Sequence, residues 1–373
     1  MSEKIVQVGQ IGFGRFGKET LYHIFKNSGL SRVVAVADID PQARNNATNL
    51  GLPNFGSPVD MLTAHPEIQH FAIAVPHEKQ LSILAQLANA AVKQGLTFSV
   101  AAEKPLASNL KGAAEAAQIL QQTFKLGAVF TRFSYPPFVW GLKNIGTIGA
   151  IQKIQDFVSI TGPQHVFEPY VHSPDGRGNA ILNGYHTASV LAILSGLPDS
   201  VTAQINNHGL QTNVDDTANI HAKYPASTGE YRCIWGITEK TVAKIETAIV
   251  GTAGTLTIEQ WGNCTMKLNN EDEVVKEFEQ PDDFIAKHDA GATALHLTIL
   301  KHLLNSGETK LPHTIKNSLA IGLTAQAIVE LGYLSSNRGG EAVTPQEVAH
   351  GVMNMNKLRE YATQALLPIS TSA

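Results

Sequence analysis

Apolar and polar positions follow two rhythms along this chain, and the change falls near residue 150. Before it, short apolar runs alternate with stretches of helical spacing. Residues 5–8, 32–37, 70–76, 97–101 and 128–130 read as strands, rich in β-branched and small residues and closed by turn formers such as Pro76. Between them, residues 80–94 carry Leu81, Leu84, Leu87, Ala88 and Ala91 at helical spacing, and residues 110–124 are also helical. Repeated strand–helix units of this kind predict a parallel, doubly wound sheet covered on both faces.

After the change the runs are short and alternating. Residues 151–161, 200–207, 217–224, 230–237, 241–249, 255–259 and 266–268 predict a mostly antiparallel sheet, with one solvated or partner-covered face. The alternation is expected to leave apolar side chains on that outer face, which suits a homodimer or homotetramer. A helix-like segment, 178–194, interrupts the strands, and 290–304 and 311–334 follow as helices. Thr344-Pro345-Gln346-Glu347 combines a capping box with proline at the first helical position. Val348, Val352, Met355, Ala362 and Leu366 then line one face of a packed terminal helix, and residues 369–373 are expected to fray. The expected organisation is a first domain over 1–130, a second over 131–340, and a terminal helix and tail over 341–373.

Composition narrows the function classes. A chain of 373 residues exceeds one ordinary core. Its apolar fraction of 43%, charged fraction of 16% and net charge of −4 fit a globular protein and give no sign of nucleic-acid or anionic-membrane partners. No run approaches the length of a membrane span and no leader precedes the first strand, so a cytoplasmic location is expected. Cys233 and Cys264 form neither a disulfide framework nor a metal-ligand spacing and are expected as free thiols. The 14 histidines include no HExxH or similar cluster, so no metal is expected.

Candidate chemistry begins at the first strand. It runs into Gly12-Phe13-Gly14-Arg15-Phe16-Gly17, a GxGxxG, followed by a helix and a second strand that ends in Asp38. This order is what a dinucleotide demands: Gly12 permits the tight turn, Gly14 lets the backbone approach the pyrophosphate, and Gly17 lets helix and strand pack closely. The pyrophosphate would sit on the N–H groups at the helix start. Asp38 would accept from the adenosine ribose hydroxyls and repel a 2′-phosphate, so NAD is expected over NADP. Arg15, inside the loop, is the counter-signal.

Glu103-Lys104-Pro105 follows another strand, at the carboxyl end where ligands bind in open α/β sheets. Proline holds the lysine extended. An ammonium fixed there could polarise a substrate oxygen or stabilise an alkoxide; a solvated loop lysine fits the position equally well.

Taken together, Gly12–Gly17, Asp38, Ala74-Val75-Pro76 and Glu103-Lys104-Pro105-Leu106 resemble the Gfo/Idh/MocA oxidoreductase family. Arg132, Gly146-Thr147-Ile148-Gly149, Asp215-Asp216-Thr217-Ala218 and Gly251-Thr252-Ala253-Gly254-Thr255-Leu256 extend the likeness over nearly the whole chain, except the tail helix. The resemblance implies a Rossmann domain followed by an open-faced antiparallel sheet, with the active site between them. It implies an NAD-dependent dehydrogenase or reductase acting on CH–OH groups of a sugar, cyclitol or related hydroxy or keto compound. By the same resemblance Val75, Pro76, Glu103 and Lys104 join the glycine loop and Asp38 around the cofactor, and Lys104 also serves catalysis.

In the family a later histidine, in a pattern resembling D-x-G-x-H-x-x-D, acts with an aspartate as acid/base. The matching stretch here is Leu182-Asn183-Gly184-Tyr185-His186-Thr187-Ala188-Ser189. Glycine and histidine match, but Leu182 and Ser189 replace both carboxylates. Imidazole suits removal of a hydroxyl proton as hydride leaves carbon, so His186 is expected to act with Lys104 near the nicotinamide, with Leu182 on the same helical face. The alternative is a histidine packed on the helix. Arg132, Asp175, Asn183 and Tyr185 are weaker candidates for substrate contacts. The missing carboxylates motivate a second reading, a catalytically silent NAD-binding relative that senses a ligand or regulates a partner. A third keeps activity but moves to an aldose or diketone beside an apolar Leu182.

Overall fold

The computed structural model describes residues 4–123, 131–161, 178–207, 214–236, 244–279, 284–305 and 310–369. Of the sequence expectations, the strand at 128–130 and Asp175 lie outside the described residues. The chain forms two compact units, one made of Met1–Ala107, Gly112–Thr131 and His288–Leu319, the other of Ser108–Lys111, Arg132–Lys287 and Ala320–Ala373.

The first unit holds five strands: β1 (Val6–Ile11), β2 (Ser31–Ala37), β3 (Asn54–Phe55), β4 (His70–Ile73) and β5 (Ser99–Ala102). They run parallel in the order β3-β2-β1-β4-β5, the doubly wound sheet expected. Buried Val8, Phe25, Val33 and Val36 form its core, joined by Ala292 and Leu300 of the Phe284–Leu304 helix. Leu295 and Ile299 of the same helix pack with Ala101 and Ile315. Sequence reading placed this helix in the second domain; its apolar stripe instead fills this core.

The second unit carries β6 (Ile151–Thr161), β7 (Ser200–Asn206), β8 (Thr217–Lys223), β9 (Thr228–Gly236), β10 (Lys244–Gly251), β11 (Gly254–Glu259), β12 (Cys264–Leu268) and β13 (Val274–Lys276). Their order is β13-β12-β11-β10-β6-β9-β8-β7, with β6 and β9 parallel and the other pairs antiparallel. Buried Ile154, Val158, Ile220, Tyr231, Cys233, Ile249, Leu256 and Ile258 define the inner face. Helices lie close on it: a Cβ at Gly332 would come within 2.3 Å of Ile220, and one at Gly141 within 2.5 Å of Ile258.

The outer face corrects an expectation. Cross-strand pairing sets Gln204, Asn219, Arg232, Phe157, Glu246 and Glu259 in one row and Thr202, His221, Glu230, Gln155, Ala248 and Thr257 in the next. Alternation sends most of the large apolar residues inward and leaves this face mainly polar, with Ile151, Phe157, Ile234 and Val250 half-buried among its polar side chains. Lys153 and Gln155 reach Glu230, and Lys244 pairs with Glu246 at 2.9 Å.

The tail packs, but as two helices, Pro345–Ala349 and Met355–Ala365, divided at Gly351 with φ of 71°. The Thr344–Glu347 capping box is present. The buried face is Leu358, Tyr361, Ala362 and Ala365 rather than the longer stripe expected, and Leu366 is exposed. The Ser318–Asn337 helix is long and apolar enough to cross a membrane by length and composition, contrary to the sequence reading, yet most of it is buried inside the protein.

Candidate cofactor and active site

One row of main-chain hydrogen bonds assembles the carboxyl edge of the parallel sheet. Asp38 N–H donates to Phe55, Gly12 N–H to Ala37, Ala74 N–H to Ile11 and Glu103 N–H to Ile73, at 2.8–3.0 Å. The glycine turn, Asp38, the Ala74-Val75-Pro76 corner and the Glu103-Lys104-Pro105 turn thus stand side by side just past β1, β2, β4 and β5. The turn past β1 lies at the point where strand order reverses, between β1 and β4.

Glycine is required at two of the loop positions. Gly12 has φ of 87°, and a Cβ there would lie 2.2 Å from the Ala74 carbonyl oxygen; one at Gly17 would lie 2.2 Å from that of Gly12. At Gly14 a Cβ would meet nothing within 4 Å, so the loop is open where a pyrophosphate would approach. Gly14 and Arg15 are exposed. Phe13 and Phe16 pack into the core instead, Phe13 edge-on to Tyr22 at 5.8 Å. Phe13 contributes through its backbone, its N–H donating to Asp38 Oδ2 at 2.6 Å. Asp38 Oδ1 accepts from Asp40 N–H, while Arg44 Nη1 donates to the Asp38 and Ile39 carbonyls. The turn chemistry, the open approach at Gly14 and the carboxylate at the end of β2 fit NAD.

Two buried glutamines, missed in the sequence, brace this edge. Gln10 Nε2 donates to the Gly17 carbonyl at 2.6 Å and the Gly12 carbonyl at 3.3 Å, holding both ends of the loop. The Gly17 carbonyl also accepts from Tyr22 N–H, because the first turn, Gly17–Leu21, is wound as a π-helix. Gln80 Nε2 donates to the carbonyls of Glu103 and Pro105 at 2.6 and 3.0 Å. A glutamine inside an apolar strand, and one on the stripe shared with Leu84, Leu87 and Ala91, were the available signals.

The Lys104–Pro105 peptide bond is cis. Burial draws the Lys104 ammonium down to about 8, against the opposing pull of Glu103. Burial raises the Glu103 carboxyl to about 7, with Lys104 and a backbone hydrogen bond opposing. Both groups therefore titrate near neutrality as a coupled pair.

His186 lies in the second unit, near the start of the Gly184–Ser195 helix, and is partly buried. Leu182 ends a separate short helix, Asn179–Leu182, with Asn183 at the junction, so the single helix expected across both is interrupted. Asp215 organises this start, accepting from Gly178 N–H, Ala180 N–H and the Tyr333 hydroxyl at 2.7–3.0 Å. Asn183 accepts from His186 N–H through its carbonyl. Ser189, at the second missing carboxylate, donates to the His186 carbonyl at 2.5 Å rather than addressing the ring.

Two weaker candidates are corrected. Tyr185 is fully buried and its hydroxyl donates to the Gly322 carbonyl at 2.8 Å, so it is a core residue. Arg132 is 1% exposed, paired through both terminal nitrogens with Asp156 at 2.8 and 2.5 Å, and bonded to Thr247. That guanidinium is committed to the second unit's interior. Among the described residues, no three His, Cys, Asp or Glu side chains converge to hold a metal.

Among curated proteins none matches the chain in sequence. Solved structures match over nearly its full length. An oxidoreductase from Agrobacterium radiobacter, in complex with NAD+, L-tartaric acid and magnesium, has a TM-score of 0.79 at 17% identity, covering 92% of this chain and 99% of the other. The WlbA dehydrogenase from Bordetella pertussis, in complex with NADH and UDP-GlcNAcA, gives 0.74 at 18% identity, with 92% and 99% covered. Levoglucosan dehydrogenase, in complex with NADH and levoglucosan, gives 0.75 at 17% identity, with 91% and 99% covered. These likenesses establish a shared fold. Residues 6–130 match the model of the Gfo/Idh/MocA oxidoreductase family with its NAD-binding Rossmann fold.

Proposed function

We propose that this protein is an NAD-dependent dehydrogenase or reductase acting on a CH–OH group of a sugar, cyclitol or related hydroxy or keto compound. The observation that carries the reading is the placement of Lys104 on the same sheet edge as the glycine turn and Asp38. Sugar ligands in two structural relatives, levoglucosan and UDP-GlcNAcA, support the substrate class. Bound NAD supplies the acceptor or donor of hydride. In the oxidising direction the carbinol must also release its hydroxyl proton, and His186 is the base proposed for it. Lys104, while charged, holds the developing alkoxide. Assembly as a homodimer or homotetramer, and a cytoplasmic location, belong to the same proposal.

Leu182 and Ser189, at the two carboxylate positions, favour a second reading, a silent NAD-binding sensor or regulator. One experiment separates them: NAD+ is titrated by fluorescence, then NADH formation is followed with myo-inositol, D-glucose, levoglucosan and UDP-GlcNAcA, and NADH consumption with aldoses and diketones. Turnover supports the enzyme; NAD+ binding without turnover on any of these compounds supports the sensor.

A further inference from the structure

Gln80 is 1% exposed on the buried side of the His77–Gln94 helix. Both partners of its side chain are main-chain carbonyls, which only accept, so its NH2 group must face them. Those carbonyls belong to Glu103 and Pro105, the two neighbours of Lys104. The amide oxygen, in contrast, is buried without a hydrogen-bond partner. An unmade bond of this kind is destabilising, and the side chain is held in that orientation nonetheless.

We propose that Gln80 is a positioning residue for Lys104, its amide holding the carbonyls on either side of the lysine and so fixing where the ammonium is presented. This rests on the reading of Lys104 as the cation of the site. A long lysine side chain is placed only as well as its backbone anchor, and a small misplacement of a reacting group is costly. A neutral amide suits this role because it donates two hydrogens without adding a charge beside the ammonium. A carboxylate at this position would face two carbonyl oxygens.

The test uses the full-length protein and reads Lys104 directly. Trace acetylation with acetic anhydride across pH, resolved by mass spectrometry, gives the titration midpoint of Lys104, and fluorescence titration gives NAD+ affinity. Gln80→Leu is expected to raise the midpoint by about one unit as the turn relaxes towards water, with NAD+ affinity unchanged. Gln80→His, whose Nε2–H has similar reach, is expected to restore the original midpoint. A Lys104 midpoint unmoved in Gln80→Leu would overturn the proposal, as would a loss of NAD+ affinity that accompanies any shift. Should Gln80→Leu not fold, Gln80→Asn, one methylene short, carries the same expectations. Separately, a Lys104→Met variant that oxidises myo-inositol or levoglucosan at the unaltered rate would remove the catalytic reading of Lys104 while leaving the labelling result for Gln80 intact.

Discussion

Phe13 and Asp38 are joined by a hydrogen bond of 2.6 Å from a backbone N–H in the glycine turn to a carboxylate oxygen at the end of β2. Asp38 therefore braces the loop, and in the proposed reading it also offers acceptors to the ribose of NAD. NAD(H) is expected to bind more tightly than NADP(H), whose 2′-phosphate would meet this carboxylate. Asp38→Ala should narrow the gap mainly by weakening NAD binding. Loss of one charge-assisted bond, about 1.5–3 kcal/mol, corresponds to roughly 10- to 100-fold in Kd. Calorimetric titration of both cofactors checks this. Equal or tighter NADP binding by the unaltered protein would sink the claim and point to Arg15 as a phosphate clamp.

A pair of buried histidines is expected to make the first unit acid-sensitive. His70 on β4 bonds Ser99 at 2.7 Å, and the His70 and His296 rings flank Phe25 at 6.2 and 5.2 Å. Burial, with His296 nearby, lowers His70 from 6.5 to about 3, and burial lowers His296 to about 4. Between these values and 6.5 the unfolded chain binds protons that the folded chain does not, so stability rises with pH across that window. The contribution is complete above about 6.5 and is lost progressively as pH falls towards 4. At pH 5 each histidine is expected to cost about 2 kcal/mol relative to neutral pH. Urea unfolding from pH 7 to 5 should show the decline, and His296→Leu should flatten it. A flat profile in the unaltered protein would contradict the assignment.

The buried Arg132–Asp156 pair offers a stability test in the second unit. Arg132→Ala leaves the Asp156 carboxylate buried with, among the described residues, the Thr247 hydroxyl as its remaining side-chain partner, which is expected to cost about 3–5 kcal/mol. Replacing both partners, Arg132→Met with Asp156→Leu, should recover most of that. Chemical denaturation followed by circular dichroism distinguishes the outcomes; a single variant as stable as the parent would show that the pair is not structural.

The placement of the candidate cofactor edge was legible because its constraints are local. Gly12 and Gly17 are dictated by atoms within a few residues or on the adjacent strand, and Asp38 falls at a fixed distance along one strand–helix–strand unit. Arg132 and Tyr185 were misread because their partners, Asp156 and Gly322, are remote in sequence. A polar group in a motif looks the same whether it faces a ligand or a buried acceptor. Similarly, helical spacing ran through Asn183 and Gly351 without revealing the breaks, since only tertiary contacts decide where such helices divide.

The last prediction concerns the proposed chemistry. If Lys104 holds the substrate oxygen as a cation and His186 takes its proton, Lys104→Ala and His186→Ala should each lower kcat by about 10²- to 10⁴-fold. NAD+ affinity should change little, since the glycine turn and Asp38 remain intact. The pH profile adds a second constraint. With the Lys104 ammonium lowered to about 8, its charge is present below that value and lost above it, so kcat/KM should fall as pH rises through about 8. The coupled Glu103 carboxyl, raised to about 7, loses its negative charge below that value, and the apparent midpoints belong to the pair. Glu103→Gln removes the carboxylate that favours the ammonium, so the alkaline limb should move to lower pH. A limb that stays in place in Glu103→Gln, or survives unchanged in Lys104→Ala, would show that another group carries the titration. Full activity in His186→Ala would likewise assign proton removal elsewhere, even with Lys104 essential.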